Sequence, residues 1–228
     1  MEKITALREW LGTGAINLFG LPMSGKDTQG VRLAEVLGAR LLSSGAIIRE
    51  MERESGATLT ADGSLAPTAT FYKWVLPYFE RRELWHVPLV LSSIGRWHGE
   101  EQQVINVAEG AGHPLRAVVY LEISEEEAVW RWQAAFQAGA REGVPGGAGV
   151  LGGVDAFGGA SGAVVEVRAD DASLEIFQRR MAEFREKTLP VISEYRDLGL
   201  LVTVDGVGSR EEVFERMITG LVEFSTGV

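Results

Sequence analysis

The sequence predicts an α/β fold in which helices cover both faces of a central parallel sheet. Three observations predict it. Four compact apolar runs, Ala15–Phe19, Pro88–Ser92, Ala117–Leu121 and Leu200–Val204, have the length and the bounded look of buried strands. Segments of helical period separate these runs, and that alternation is the signature of a parallel sheet. The composition is that of an ordinary globular chain, 46% hydrophobic and 24% charged over 228 residues, enough for one sizeable core.

Each element follows from local pattern. Ile4, Leu7 and Leu11 fall at helical spacing, so a short amphipathic helix over 2–11 precedes the first strand. Ala15–Phe19 stops at Gly20, and a Gly/Pro-containing loop leads into Thr28–Leu37, where Val31, Ala34 and Leu37 share one helical face. After the third run, Ser124 followed by Glu125–Glu127 reads as an N-capped helix start. Ten glycines fall between 139 and 162, a composition suited to a linker or to a flap over a site. Because α/β pattern resumes beyond it, the stretch is read as an insertion. Leu174, Phe177, Met181, Phe184, Thr188, Val191 and Tyr195 then keep a three-four rhythm, predicting one long helix bent at Pro190. Trp74, Trp85, Trp97, Trp130 and Trp132 are expected as core or interface anchors.

Charge and composition narrow the chemistry. Twenty-two Lys+Arg against 32 Asp+Glu give a formal charge of −10, which repels polyanions. A general binder of nucleic acid or of anionic membranes is therefore not expected, although a local basic pocket for a small phosphate ligand is allowed. With no cysteine, thiolate chemistry and sulfur-built zinc sites are excluded, and His86, His98 and His113 offer little for a histidine-built metal centre. The opening MEKITALREWLG has no apolar run of the leader type, and no stretch reaches the ~18 apolar residues of a membrane span. A cytoplasmic monomer is expected.

The strongest motif is Gly20-Leu-Pro-Met-Ser-Gly25-Lys26-Asp27-Thr28, placed between a strand and a helix. Phosphate oxygens need backbone N–H donors unobstructed by side chains, which favours glycine at the turns, and a helix N-terminus adds its positive end. Lys26 can reach the terminal phosphates of a nucleotide, and a hydroxyl on the first helical turn can touch Mg2+. Here Asp27 follows the lysine and the hydroxyl of Thr28 comes one place later.

At these residues the sequence resembles the adenylate kinase family of nucleoside monophosphate kinases, over nearly the whole chain. Gly20, Pro22, Gly25, Lys26, Thr28 and Gln29 match the family's Gly-x-Pro-Gly-x-Gly-Lys-Gly-Thr-Gln, while Met23 and Asp27 replace glycines. Leu42-Ser-Ser-Gly-Ala-Ile-Ile-Arg49 is similar to its Ile-Ser-Thr-Gly-Asp-Leu-Leu-Arg. Gly95-Arg-Trp-His-Gly-Glu-Glu-Gln102 is similar to its Gly-Phe-Pro-Arg-Thr-x-x-Gln. Arg168-Ala-Asp-Asp171, with Arg179 eleven places on, matches its Arg-x-Asp-Asp and partner arginine, and Val204-Asp-Gly206 its late Val-Asp-Gly.

The resemblance implies a P-loop three-layer α/β sandwich: a core of 12–43, 88–138 and 168–228, a helical monophosphate-binding insertion over 44–87, and a Gly-rich lid over 139–167. It implies an ATP-dependent nucleoside monophosphate kinase using Mg2+, with ATP as donor and AMP as the first acceptor. CMP, UMP or a deoxynucleotide is the second acceptor class, and a nucleotide-binding module without turnover is the rival. Lys26, Arg168 and Arg179 are the implied catalytic set. Gly20, Met23, Ser24, Gly25, Lys26, Asp27, Thr28, Arg131 and Gly208 would bind the donor. Ser44, Arg49, Gly95, Arg96, His98, Gln102 and the two late arginines would bind the acceptor. Four departures bear on this assignment. The family's arginine in Gly-Phe-Pro-Arg falls on His98, with Arg96 as a substitute, and a second lid arginine falls on Ala135. Two acidic residues that hold Mg2+ through water fall on Ala46 and Ile94, leaving Asp27 or Thr28 for the metal.

Overall fold

The computed structural model describes residues 2–60, 62–141 and 173–227. Five parallel strands form one sheet: β1 Ala15–Gly20, β2 Arg40–Ser43, β3 Leu89–Ser92, β4 Leu115–Glu122 and β5 Leu201–Asp205. They lie in the order β2-β3-β1-β4-β5. The main helices are α1 Glu2–Leu11, α2 Lys26–Leu37, α3 Ser44–Ser55, α5 Glu101–Gly110 and α6 Glu125–Arg141. Beyond them follow α7 Leu174–Glu183, α8 Leu189–Asp197 and α9 Arg210–Thr226, while α4 is the single turn Thr68–Thr70.

Side chains alternate across a strand, so each strand feeds two cores. On β1, Ala15 and Phe19 enter a core shared with Ile47 of α3, Val104 of α5, Phe177 of α7 and Ile192 of α8. Ile16 and Leu18 enter a second core with Leu7 of α1, Leu33 of α2 and Met217 of α9. The protein is thus a three-layer α/β sandwich. All six residues of β1 are buried, as expected of a central strand covered on both faces. Among the described residues, no helix is long and apolar enough to cross a membrane.

Two expectations change. β2 is a fifth strand where the sequence offered no apolar run: only Leu41 and Leu42 of its four residues are apolar, and Arg40 is exposed at the sheet edge. The long helix predicted after 173 is two helices, joined by the five-residue π-helical segment Phe184–Thr188. Pro190 has no N–H to give, and its ring crowds the carbonyl four residues back, so the wider turn lies just upstream of it. Of the tryptophans, Trp132 is buried and Trp74 packs on the core, whereas Trp85 and Trp130 are more than half exposed. The stretch expected as a lid begins within α6, which runs to Arg141, and its residues 142–167 lie outside the described residues, as does Arg168.

The turn after β1 is closely fitted. Ser24 N–H donates to Leu21 O at 3.0 Å. A Cβ on Gly20 would stand 2.9 Å from Leu121 O of the neighbouring strand and would also strike Ser24 Oγ. Gly20→Ala is therefore expected to lower the unfolding free energy by about 1–3 kcal/mol, the usual range for overpacking. Urea denaturation reads this directly, and an unchanged midpoint would show that the turn yields freely.

Candidate active site

At the carboxyl ends of β1, β2 and β3, three chain segments turn outward around one cleft. From β1 come Gly20, Pro22, Lys26 and Asp27; from β2 come Ser43, Ser44 and Arg49; from β3 come Ser92, Ser93, Gly95, Arg96, Trp97 and Glu100. Thr60, Gly63–Ala66 and Arg180 of α7 close the far side.

The phosphate loop owes its shape to backbone conformation. Gly25 takes φ 88° as N-cap of α2 and provides no side-chain cap, so the first-turn N–H groups are not claimed by the residue before them. Met23 sits at φ 68°, a left-handed conformation unusual for a residue with a side chain. Ser24 is buried behind the loop. Lys26 Nζ lies 3.7 Å from Asp27 Oδ2, and Asp27 Oδ1 accepts a 2.7 Å hydrogen bond from Ser92 Oγ at the end of β3.

Buried polar contacts set the neighbouring segments. Asn17, fully buried in β1, donates to Ile94 O at 2.8 Å and accepts from Ile94 N–H at 3.2 Å, which fixes where the chain leaves β3. Gly95 follows at φ 75°, and a Cβ there would meet Val104 at 2.7 Å. Glu100 Oε2 accepts from the N–H groups of Arg96 and Trp97 at 2.8 and 3.0 Å. Thr188 in the π-helical segment donates to Arg96 O, and Trp97 donates to Ala66 O at 2.9 Å while Lys187 lies 4.1 Å from its ring centre. Ser44 donates to Ser93 O at 2.7 Å, and Ser43 caps α3.

Lys26, Arg49, Arg96 and Arg180 face Asp27 and Glu100 across this cleft, an excess of positive charge within a chain of −10. A concave site of one sign concentrates the field on a small anion. Among the described residues, no three His, Cys, Asp or Glu side chains gather as a metal centre would need.

Not every residue expected in the site is there. Arg179 points away, bonded to Asp62 Oδ2 at 2.6 Å on the outer surface, and its neighbour Arg180 lines the cleft instead. Helical period gives the reason. Phe177, Met181 and Phe184 form the buried stripe of this helix. Arg179 lies two residues from both Phe177 and Met181, on the opposite face, while Arg180 is three residues from Phe177 and flanks the stripe. His98 is exposed, 3.8 Å from Glu101, and Arg96 occupies the cleft in its place. Gln102 is exposed and donates to Asn106 rather than reaching the cleft. Thr28 is also exposed, and Gly208 lies in the loop after β5. Arg131 ties the two loops together, donating to Met23 O at 3.2 Å, to Gly206 O at 2.9 Å and to Glu127 at 2.7 Å. Trp97, expected as a core or interface anchor, lines the cleft. Sequence reasoning also missed Asn17, Ser92 and Glu100; nothing local separates a buried asparagine in an apolar run from a tolerated one.

A phosphate loop above a parallel sheet, faced by arginines from separate elements, defines an ATP-dependent phosphotransferase of the nucleoside monophosphate kinase class. No protein-family model matches the chain. It is similar to the adenylate kinase of Gemmatimonas aurantiaca, 30% identical over 219 residues that cover 90% of this chain and 98% of that one. It is 27% identical to the adenylate kinases of Micrococcus luteus and Thermus thermophilus over 92% and 91% of its length, covering 92% and 96% of theirs. The chain belongs to the adenylate kinase family.

Burial pushes the Glu100 carboxyl above the usual carboxylate range, against the pull of the Trp97 and Arg96 N–H groups. The folded chain thus holds this proton more tightly than the unfolded chain does. The stability Glu100 adds is full below about pH 4.3 and is lost as pH rises through its folded value. Glu100→Gln should therefore gain stability relative to the parent as pH is raised from about 4 to about 7. Paired urea titrations across that range test it, and parallel profiles would refute it.

Proposed function

We propose that the protein transfers the γ-phosphoryl group of ATP to a nucleoside monophosphate, AMP before others, with Mg2+ accompanying the donor. The observation that carries this reading is the convergence of Lys26, Arg49, Arg96 and Arg180, from four separate segments, on one cleft. Phosphoryl transfer spreads charge over several oxygens and needs no covalent enzyme intermediate, so the protein's work is to align, neutralise and exclude water.

In this reading the amides of residues 20–28 and Lys26 hold the donor's β- and γ-phosphates. Arg49 takes the acceptor's phosphate, as the planar guanidinium fork suits. Arg96 serves where the resemblance places His98, and Arg180 serves where it places Arg179. In this reading residues 44–87, with α3 at one end and short helical turns over 68–84 near the other, form the acceptor-binding insertion. Asp27 and the hydroxyl beside it offer hard oxygen donors, a set that fits Mg2+. When bound, that ion would neutralise charge on the donor's phosphates. The relatives' naming as adenylate kinases supports AMP. The absence of Gln102 from the cleft and the presence of Glu100 in it favour testing CMP, UMP and deoxynucleotides beside it.

A coupled assay with ATP, Mg2+ and each monophosphate decides activity and base choice together. Diphosphate formation is expected, with AMP the best acceptor; nucleotide binding without product from any acceptor would refute a kinase. Lys26→Ala should lower kcat by about 10²–10³-fold, the scale for losing one preorganised charge contact. Arg180→Ala should cost kcat on the same scale while Arg179→Ala leaves it within about threefold, as for a surface ion pair. The reverse order would return the catalytic role to Arg179.

A further inference from the structure

Asp27 and Ser92 stand in an unusual relation to the phosphate loop. Asp27 follows Lys26 directly, and Ser92 closes β3, the strand beside β1. The two side chains touch through the 2.7 Å hydrogen bond and line the cleft with Gly20 and Lys26. In phosphate-loop nucleotide enzymes generally, the cation on the phosphates is held by a hydroxyl of the loop and a carboxylate from elsewhere in the fold. Here both groups are present and in contact, but the loop provides the carboxylate and the strand end provides the hydroxyl.

We propose that Asp27 and Ser92 form an exchanged divalent-cation site, with Asp27 the protein's anionic ligand to the metal on the nucleotide and Ser92 the group that orients it. The proposal rests on the kinase reading above. Elimination within the cleft supports it. The family's two acidic positions hold Ala46 and Ile94, both buried and without donor atoms in their side chains. Among the described residues the only other carboxylate lining the cleft is Glu100, whose Oε2 is engaged by two backbone N–H groups and which burial drives toward its neutral form. Asp27, by contrast, stands beside Lys26, where the donor's terminal phosphates would carry their cation. A merely structural Asp27, balancing Lys26 and the N-terminus of α2, would leave metal affinity unchanged when replaced.

Mn2+ provides the probe. Its affinity for the enzyme–ADP complex is measured by electron paramagnetic resonance for the parent, Asp27→Asn, Ser92→Ala and the double variant Asp27→Ser/Ser92→Asp. ADP affinity is measured separately in the presence of a chelator. Ser92→Ala should weaken Mn2+ binding about tenfold, the lower end of what loss of an orienting partner costs, and Asp27→Asn, which removes the ligand itself, by a larger factor. Metal-free ADP binding should hold or tighten, which also certifies a folded variant. The double variant should recover most of the lost Mn2+ affinity. Unchanged Mn2+ affinity in Asp27→Asn overturns the exchanged site and leaves the kinase reading standing. Failure of the parent to bind ADP at all overturns both.

Discussion

The hold of Asn17 on Ile94 is the interaction on which the cleft depends. A polar side chain in the middle of a fully buried strand is costly unless both its donor and its acceptor are met. Ile94 meets both, through its carbonyl and its N–H. The consequence is positional. The chain leaving β3 is pinned to β1, so Ser92, Gly95 and the Arg96–Trp97 segment take fixed places relative to the phosphate loop that β1 itself carries. Glu100 and Thr188 then hold Arg96 and Trp97 from the other side. Arg131 does the same for the far edge of the loop, bonding Met23 and Gly206. The site is assembled from loops tethered to strands and helices by polar contacts, the Asn17–Ile94 pair fully buried and the rest part-buried.

Much of this was legible in the sequence because its signals are local. The strand–loop–helix context of Gly20–Thr28 and its glycine and lysine spacing announce a phosphate site, since backbone geometry demands those residues. The central strands announce themselves as apolar runs buried on both faces. What was not legible depends on partners distant in the chain. β2 has too few apolar residues to stand out and exists because β3 gives it a neighbour. Spacing in the motif selects Arg179, a count along the chain that takes no account of which face of α7 meets the cleft. The buried stripe of α7 selects Arg180, one residue on. Gln102 matched its motif by letter and count, yet it sits where α5 faces solvent. A motif fixes residue types; the helix face decides which of them see the cleft.

Charge distribution links fold to function. A chain of −10 repels large anions, and the cleft reverses that sign locally with cations drawn from α2, α3, α7 and the loop after β3. Each of these four segments supplies one of the cleft's cations. Recognition of a phosphorylated ligand is therefore a property of the assembled sheet end and would vanish if the segments drifted apart.

Met23 has a consequence for the energetics of ligand capture. Its side chain, at a backbone angle where glycine would be at ease, restricts the shapes open to the loop, and the carbonyl bond to Arg131 restricts them further. A turn held in this way has little disorder left to surrender when a guest arrives. More of the gross attraction is then retained as net affinity, and it shows itself chiefly as long residence rather than fast arrival.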